Sequence, residues 1–365
     1  MNYTKQHYQI AVTQLFGFGP IKSKHLIQSV DKIEDIFMFS FEKLEKQTKI
    51  SKKTFISMKR DEALLKADFI LKNVKKNAID IIFYTDLNYP RRLKQCPDSP
   101  LIIYSKGSID LNKYKYVAVV GTREASDYGK KLCTELIKSF INTDIVVVSG
   151  MAYGIDIFTH NLCIQHGVKT IGVMAHGLEI VYPQLHKSTA SKMILDGGLI
   201  SEYPPLTKPD KENFPMRNRI VAGMCDATIV VESKMKGGSL ITAELANDYN
   251  RDVFSFPGNV FEENSEGCNL LISNNKAHLL RSGIDFLTKM GWNLSVDKAV
   301  QRPIFPDLSQ EEQEIIYLLE KSGQMNIDTM ALTLKVPSSK INVLLFNLEM
   351  NGLIATIPGN RCQLV

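Results

Sequence analysis

Six short runs of mainly apolar residues, many of them β-branched, are separated by amphipathic stretches and dominate the middle of this chain. The runs are Tyr116–Val120, Asp144–Val148, Thr170–Met174, Leu199–Glu202, Thr228–Val231 and Val253–Phe256. Runs that are apolar on both faces of a strand indicate a parallel sheet covered by helices. Such sheets bind ligands at the carboxyl ends of their strands, where loops meet helix N-termini. The middle of the chain is therefore predicted to be an α/β domain with a binding site at that edge.

Length and composition limit the class of protein. The chain has 365 residues, of which 44% are hydrophobic and 23% charged, so a folded protein of two or three domains is expected. No apolar run is long enough to span a membrane and the first residues do not resemble a secretory signal, which predicts a cytoplasmic location without membrane contact. The six cysteines lack C-x-x-C spacing, and no metal site or cofactor is expected.

Shifts in composition predict three domains and a connector. Residues 1–85 have helical periodicity and are predicted to form a helical module, residues 86–112 an extended connector rich in Pro and Asp, residues 113–300 the sheet domain, and residues 307–365 a winged helix. In the first module Gly17, Gly19 and Pro20 suit a tight turn between helices. This turn resembles a helix-hairpin-helix or SAM-like element, and a plain turn between two helices is the alternative.

The last segment has its own helix signals. Ser309 and Glu312 predict a capping box, Asp328 is a candidate cap for a second helix, and Ser338 or Ser339 for a third. Residues 353–357 and 362–365 are predicted to form a two-stranded wing with a turn at 358–359. The segment carries seven acidic and four basic residues, a net charge of −3, which favours an interaction or packing role over duplex reading.

Three glycine-rich turns follow predicted strands, namely Gly121–Ser126, Ser149–Asp156 and Lys234–Thr242. A glycine turn that leads into a helix presents unpaired N–H groups and a partial positive charge, which suits phosphate. Neither the G-x-G-x-x-G pattern of dinucleotide enzymes nor the P-loop pattern is present. These turns therefore predict a phosphate-binding edge without a nicotinamide cofactor or an ATPase clamp.

A further segment, Asn213–Gly223, places Phe214 just before Arg217, Asn218 and Arg219. Arginine pairs with phosphate at two points, and an aromatic ring stacks on bases, so this composition is typical of single-strand binding. The alternative is structural: Phe214 lies in the core and one arginine pairs with Glu202 or Glu232.

Taken in order, eight segments closely resemble the DNA-processing protein A family, also called Smf. They are Gly121-Thr-Arg-x-x-Ser126, Ser149-Gly-x-Ala-x-Gly-Ile-Asp156, Gly177-Leu-Glu-Ile-Val-Tyr-Pro183, Gly198-Leu-Ile-Ser-Glu-Tyr-Pro204, Phe214-Pro-x-Arg-Asn-Arg219, Gly238-Ser-Leu-Ile-Thr-Ala243, Phe256-Pro-Gly258 and Gly267-Cys-Asn-Leu-Leu-Ile272. The resemblance implies an extended Rossmann-like domain, often with an N-terminal helical module and a C-terminal winged helix. It also implies a non-enzymatic homodimer that protects incoming single-stranded DNA in natural transformation and loads the recombinase RecA.

The resemblance implies a set of DNA-binding residues as well. Arg123 and Ser126 would contact the DNA backbone, Gly150 and Gly154 would allow close approach, and Lys187 would replace a family lysine at a shifted position. The full predicted site is Gly121, Arg123, Ser126, Gly150, Gly154, Lys187, Phe214, Arg217, Asn218, Arg219, Gly238 and Ser239.

Two other functions remain open from the sequence. Gly237, Gly238 and Glu244 resemble a degraded form of the signature of the Lonely Guy phosphoribohydrolases, whose glutamate serves cleavage of a glycosidic bond. A protein-interaction scaffold, with an acidic tail that recruits a recombinase, is the other alternative.

Overall fold

The computed structural model describes residues 3–292 and 308–364 except 352, 358 and 359. The chain divides into two compact units, Met1–Leu294 and Ser295–Val365, which are described separately. Within the described residues, no helix combines the length and apolar character needed to cross a bilayer.

The first unit is built on one mixed sheet, which has nine strands within residues 3–292. In spatial order it runs β1-β2-β6-β5-β4-β3-β7-β8-β9. The strands are β1 (Asp80–Phe83), β2 (Ile102–Gly107), β3 (Lys115–Val120), β4 (Ile145–Ser149), β5 (Lys169–Met174), β6 (Gly198–Ser201), β7 (Ala227–Val230), β8 (Asp252–Ser255) and β9 (His278–Leu279). Neighbouring strands are parallel along the series β6, β5, β4, β3, β7, β8 and β9. Strand β2 is antiparallel to both β6 and β1. The six strands predicted from apolar runs are β3 to β8, and each observed boundary lies within one residue of the prediction.

Helices α1 to α6 of this unit form the N-terminal module, and the later helices alternate with strands as predicted. They are α1 (Lys5–Thr13), α2 (Pro20–Gln28), α3 (Asp35–Met38), α4 (Phe41–Thr48), α5 (Lys52–Ser57), α6 (Arg60–Lys76), α7 (Arg91–Lys94), α8 (Asp127–Ser139), α9 (Ile155–His166), α10 (Lys187–Asp196), α11 (Asn213–Met224), α12 (Gly238–Asp248), α13 (Glu263–Ser273) and α14 (Gly283–Lys289). The extended Rossmann-like fold class and the N-terminal helical module are thereby confirmed.

Both faces of the sheet are buried, as the apolar runs predict. Along β3, Tyr116, Ala118 and Val120 belong to one hydrophobic core, whereas Val117 and Val119 belong to a second core on the opposite face. Successive side chains of a strand point to opposite faces, which explains why such a run has no polar positions.

The N-terminal module shares the first of these cores. Ile10, Leu26 and Phe55 are fully buried and belong to the same hydrophobic cluster as Tyr116 of β3. The predicted turn is present: Gly17 has φ of +77°, and Pro20 is the first residue of α2. Lys24 donates hydrogen bonds to the Pro97 oxygen and Ser99 Oγ, at 3.1 and 2.6 Å, so its ammonium group is engaged within the protein.

Residues 86–112 differ from the predicted extended connector. They contain α7 and β2, and the run Leu101, Ile102, Ile103 and Tyr104 is buried. The Tyr89 hydroxyl donates to the Pro100 oxygen at 2.6 Å and fixes the turn that leads into β2. The abundance of Pro and Asp predicted a connector, but four consecutive apolar side chains were sufficient to bring this segment into the sheet.

The second unit has the predicted winged-helix elements, together with one further strand. Its elements are α15 (Gln310–Ser322), β10 (Gln324–Asn326), α16 (Ile327–Leu334), α17 (Ser338–Met350), β11 (Ile354–Ile357) and β12 (Arg361–Leu364). The capping box of Ser309 and Glu312 is confirmed. Asp328 does not cap α16, because the cap is Asn326, whose Oδ1 accepts from the Asp328 amide at 2.8 Å. The predicted turn at 358–359 lies outside the described residues.

Candidate nucleic-acid interface

A cavity of about 820 Å³ opens at the carboxyl ends of β3, β4 and β7. Strand β3 lies between β4 and β7 in the sheet. After β3 the chain continues to β4 on one side, and it returns later to form β7 on the other side. Open α/β sheets bind ligands at such a reversal of strand order, because the loops on either side diverge and leave a crevice. We refer to this cavity as the first pocket.

The loop after β4 forms the floor of the first pocket and is held by Asp156. The Asp156 Oδ2 accepts from the amides of Gly150 and Ala152, at 3.2 and 3.4 Å. The backbone of Met151 has φ of +60°, which is rare for a residue other than glycine. The backbone oxygen of Met151 lies 2.8 Å from His186 Nδ1. The Gly150 amide therefore points to a carboxylate of the protein, and the predicted close approach of DNA at Gly150 stays a prediction.

Arg217 lies beneath this loop and is 4% exposed. Its Nη1 donates to the oxygens of Gly150, at 2.6 Å, and Val173. A Cβ at Gly150 would come within 2.3 Å of that nitrogen, so the glycine makes room for the guanidinium rather than for a ligand. Burial lowers the pKa of Arg217, and the nearby Asp156 opposes that shift. Arg217 lines the first pocket, and its hydrogen bond to the Gly150 oxygen holds the loop after β4 in place.

The open side of the first pocket combines aromatic rings with an exposed arginine. The Arg123 guanidinium lies 6.0 Å from the centroid of the Phe214 ring, and the Tyr182 ring lies 6.2 Å from the same ring. Tyr153 and Tyr182 are 47% and 51% exposed. Among the described residues, Arg123 has no carboxylate partner. A cation above a row of exposed rings can bind a phosphate while the rings stack on bases.

The N-terminus of α12 forms another wall of the first pocket. Gly238 has open space where a Cβ would be, and amides in the first turn of a helix have no partner within the helix. The hydroxyl of Ser239 donates to Ser233 Oγ at 2.8 Å, so its side chain is not available to a ligand. The Asn218 amide donates to the Gly238 oxygen at 3.4 Å and links α11 to this turn. The turn thus offers backbone amides, as the sequence predicts.

A ridge formed by Glu124, Lys234, Glu263 and Asn264 borders the first pocket. Lys234 Nζ lies 3.1 Å from a carboxylate oxygen of Glu124 and 3.1 Å from one of Glu263. Asn264 Nδ2 donates to the Glu124 oxygen at 3.1 Å. Hydrogen bonds to the two carboxylates raise the pKa of Lys234, so its positive charge is secure but already neutralised by the protein.

The structure brings eight of the twelve predicted site residues to the first pocket. They are Gly121, Arg123, Gly150, Phe214, Arg217, Asn218, Gly238 and Ser239. Gly154 does not line the first pocket. A Cβ at this position would come within 2.2 Å of the Thr122 oxygen, so glycine is needed here for the two loops to pack against each other.

Three predicted residues lie elsewhere. Ser126 is the N-cap of α8: its Oγ donates to Glu232 and accepts from the Gly129 amide. Arg219 is 5% exposed and forms an ion pair with Glu202 on the other side of α11. Lys187 is exposed at the start of α10 and does not line the pocket. Ser126 and Arg219 each pair with a carboxylate of the protein and lie outside the first pocket, so their predicted DNA contacts stay predictions.

The site prediction omitted several residues that the structure places in the first pocket, notably Tyr153, Tyr182, Lys211 and Lys236. Tyr153 and Tyr182 belong to segments that carry the family resemblance, and Lys236 belongs to the third glycine-rich turn. Their positions within those motifs were a usable signal. Lys211 lies in a loop without a recognisable pattern, and only the fold shows that it lines the first pocket.

Comparisons with known proteins agree with this geometry. Residues 80–291 match the family model described as DNA recombination-mediator protein A, and residues 301–360 match that of the DprA winged helix domain. A protein named Smf from Synechocystis is 30% identical over 345 residues, which cover 90% of this chain and 82% of the relative.

Two solved structures are also similar. That of DNA processing protein A from Streptococcus pneumoniae has a TM-score of 0.67 and 34% identity, over 79% of this chain and 99% of the other. That of DNA processing protein A from Helicobacter pylori, described as showing a single-stranded DNA binding mode, has a TM-score of 0.53 and 26% identity, over 58% and 95%.

Proposed function

Because the chain belongs to the DNA recombination-mediator protein A (DprA) family, we propose that its first pocket binds single-stranded DNA. The observation that carries this proposal is the exposed Arg123 beside Phe214 and Tyr182, at the point where the strand order reverses. A single strand exposes both its phosphates and the faces of its bases. In a duplex the base faces are stacked inside, so the rings of this pocket would have no contact.

The proposal predicts strong salt dependence. If the pocket and its rim neutralise about four phosphates, log K against log salt should have a slope near −3, from roughly −0.7 per contact. Fluorescence anisotropy with a labelled oligothymidylate at several salt concentrations measures this slope, and a duplex of the same length is the control. A flat response, or equal affinity for both DNA forms, contradicts the proposal.

A second prediction concerns the Lys234 ridge. Glu263→Gln is expected to tighten oligonucleotide binding, because it removes one of the two carboxylates that neutralise Lys234 at the edge of the pocket. Since exposed ion pairs contribute little, the gain should be no more than several-fold.

Glu212→Gln is the matched control for that variant, because it makes the same change of charge at an exposed carboxylate next to Lys211, outside the described pocket lining and without an ion pair to Lys234. Anisotropy titrations of both variants give the comparison. Equal effects of the two substitutions would show that only the overall charge changed.

The phosphoribohydrolase alternative is disfavoured by the position of its key residue. Glu244 is exposed on α12, lies 3.4 Å from Lys276 Nζ and does not line the first pocket. A general acid must be within hydrogen-bond reach of the bond that breaks. We therefore propose a binding protein rather than an enzyme, which an assay for free base released from nucleoside monophosphates tests directly.

Further aspects of the proposal derive from the family resemblance. The chain would act in the cytoplasm as a homodimer that protects incoming DNA during natural transformation and transfers it to RecA. A variant chain that ends at residue 306 tests whether the acidic segment 307–365 recruits RecA. Its affinity for DNA should persist, and its loading of RecA onto the strand should fall if that segment binds RecA. Sedimentation of the full chain measures its oligomeric state.

A further inference from the structure

A second cavity, of about 630 Å³, lies on the other side of the Lys234 ridge. Glu263 lines the first pocket, and the residues on either side of it, Glu262 and Asn264, line the second. The two cavities are therefore neighbours along the edge of the sheet, and a strand that leaves the first can reach the second by crossing the ridge. We refer to this cavity as the second pocket.

The second pocket is unsuited to phosphate. Its described lining contains no lysine or arginine but includes the carboxylates of Glu232 and Glu262. Glu232 is 2% exposed, and its two oxygens already accept from the amide and hydroxyl of Ser126. An anion would be repelled by these charges without a compensating cation. Whatever occupies this cavity is therefore not a phosphate group.

Neutral polar groups without partners line the same cavity. Ser265 is 4% exposed, and its Oγ has no hydrogen-bond partner among the described residues. Asn264 Oδ1 is buried and likewise has no donor within residues 3–292. Asn259 Oδ1 accepts from the Phe261 amide at 3.0 Å, which leaves its NH₂ group for another acceptor. Ser265 Oγ and the NH₂ group of the exposed Asn259 can therefore bond to a ligand that offers a neutral edge with donors and acceptors.

An aromatic side chain completes the cavity. Tyr128 is 46% exposed, and its hydroxyl donates to the Pro257 oxygen at 2.7 Å, which fixes one edge of the ring and leaves the ring partly open. A nucleobase has a flat face for stacking and a neutral edge with donors and acceptors. Glu232 is already satisfied by Ser126, so a basic protein side chain would find only the exposed Glu262 as a carboxylate partner in the described lining.

From these observations we propose that the second pocket is a nucleobase subsite, which receives a base of the same strand whose neighbouring nucleotide lies in the first pocket. Tyr128 stacks on the base, and Ser265 and Asn259 contact its edge. The phosphate between the two nucleotides then passes the ridge near Lys234. This inference rests on the proposed function, since it assigns a second base to the same bound strand.

Oligothymidylates of increasing length test the inference with the full-length chain. For wild type, affinity should rise stepwise when the oligonucleotide becomes long enough to fill the second pocket. Tyr128→Ala should lower affinity for long oligonucleotides by about 5- to 150-fold and leave the shortest ones that bind unchanged. Tyr128→Phe keeps the ring, loses only the bond to Pro257, and should stay close to wild type.

Photo-crosslinking locates the base directly. A strand with 5-iodouracil at successive positions should crosslink to Tyr128 from one position and to Phe214 or Tyr182 from a position close by. The subsite is overturned if no crosslink to Tyr128 forms, or if Tyr128→Ala has wild-type affinity for oligonucleotides of every length. The cavity would then have another occupant, such as a basic side chain of a protein. Equal loss at all lengths also overturns it. If wild type binds no oligonucleotide, the proposed function itself fails.

Discussion

Arg217→Ala is expected to destabilise the fold and abolish oligonucleotide binding, a larger effect than any other single substitution in the first pocket should have. The substitution leaves the oxygens of Gly150 and Val173 without their donor. Each unsatisfied buried carbonyl costs about 1–3 kcal/mol, so a loss on the order of 3 kcal/mol in the free energy of unfolding is expected. Urea denaturation measures the loss of stability, and anisotropy measures binding.

Arg123→Ala is the matched control for Arg217→Ala, because Arg123 is exposed. It should weaken binding without a change in stability. An Arg217→Ala protein as stable as wild type would contradict the assignment of Arg217 as the residue that holds the loop.

The stability of the Arg217→Ala protein should also depend on pH through Asp156. Burial raises the pKa of Asp156, and Arg217 opposes that shift, so its removal raises this pKa further. A carboxyl whose pKa is higher in the folded than in the unfolded state binds more protons when folded, so stability falls as the pH rises through that interval. The deficit should therefore be larger at neutral pH than at acidic pH, as urea titrations at two pH values would show.

Phe214→Ala is expected to have the second-largest effect, a loss of about 1–3 kcal/mol in binding free energy, or 5- to 150-fold in Kd. The ring is half-buried and faces Arg123 and Tyr182, so the loss reflects base stacking rather than unfolding. The salt dependence should be unchanged, since no cation is removed.

Arg123→Ala again provides the contrast, because it removes the proposed phosphate contact. The slope of log K against log salt should become shallower by roughly 0.7. Anisotropy titrations of both variants at several salt concentrations separate stacking from charge. A Phe214→Ala protein with wild-type affinity would exclude Phe214 from the base-binding surface.

Several outcomes at the site follow from spacing that is visible in the sequence. Phe214, Arg217 and Asn218 are three and four residues apart, so in a helix they lie on one face, and the structure places all three at the pocket. Arg219 is two residues from Arg217, which corresponds to about 200° of rotation, so it faces the opposite side and pairs with Glu202. This pairing is the structural alternative that the sequence left open for one of the two arginines. Ser126 could likewise have been identified as a helix cap, since it directly precedes α8.

The sequence by itself determined the alternation of β3 to β8 with helices, the double burial of these strands and the edge at which the glycine-rich turns meet. These features depend on the spacing of apolar residues and on turn residues, which can be recognised within a few positions of sequence. The tertiary structure alone decided which polar groups remain free at that edge. Ser126 meets Glu232, Gly150 meets Arg217, and Lys234 meets Glu124, across 106, 67 and 110 positions of sequence. Burial requires every polar group to find a partner, and when the fold supplies one from a distant segment, only the side chains left over, such as Arg123, remain available to a ligand.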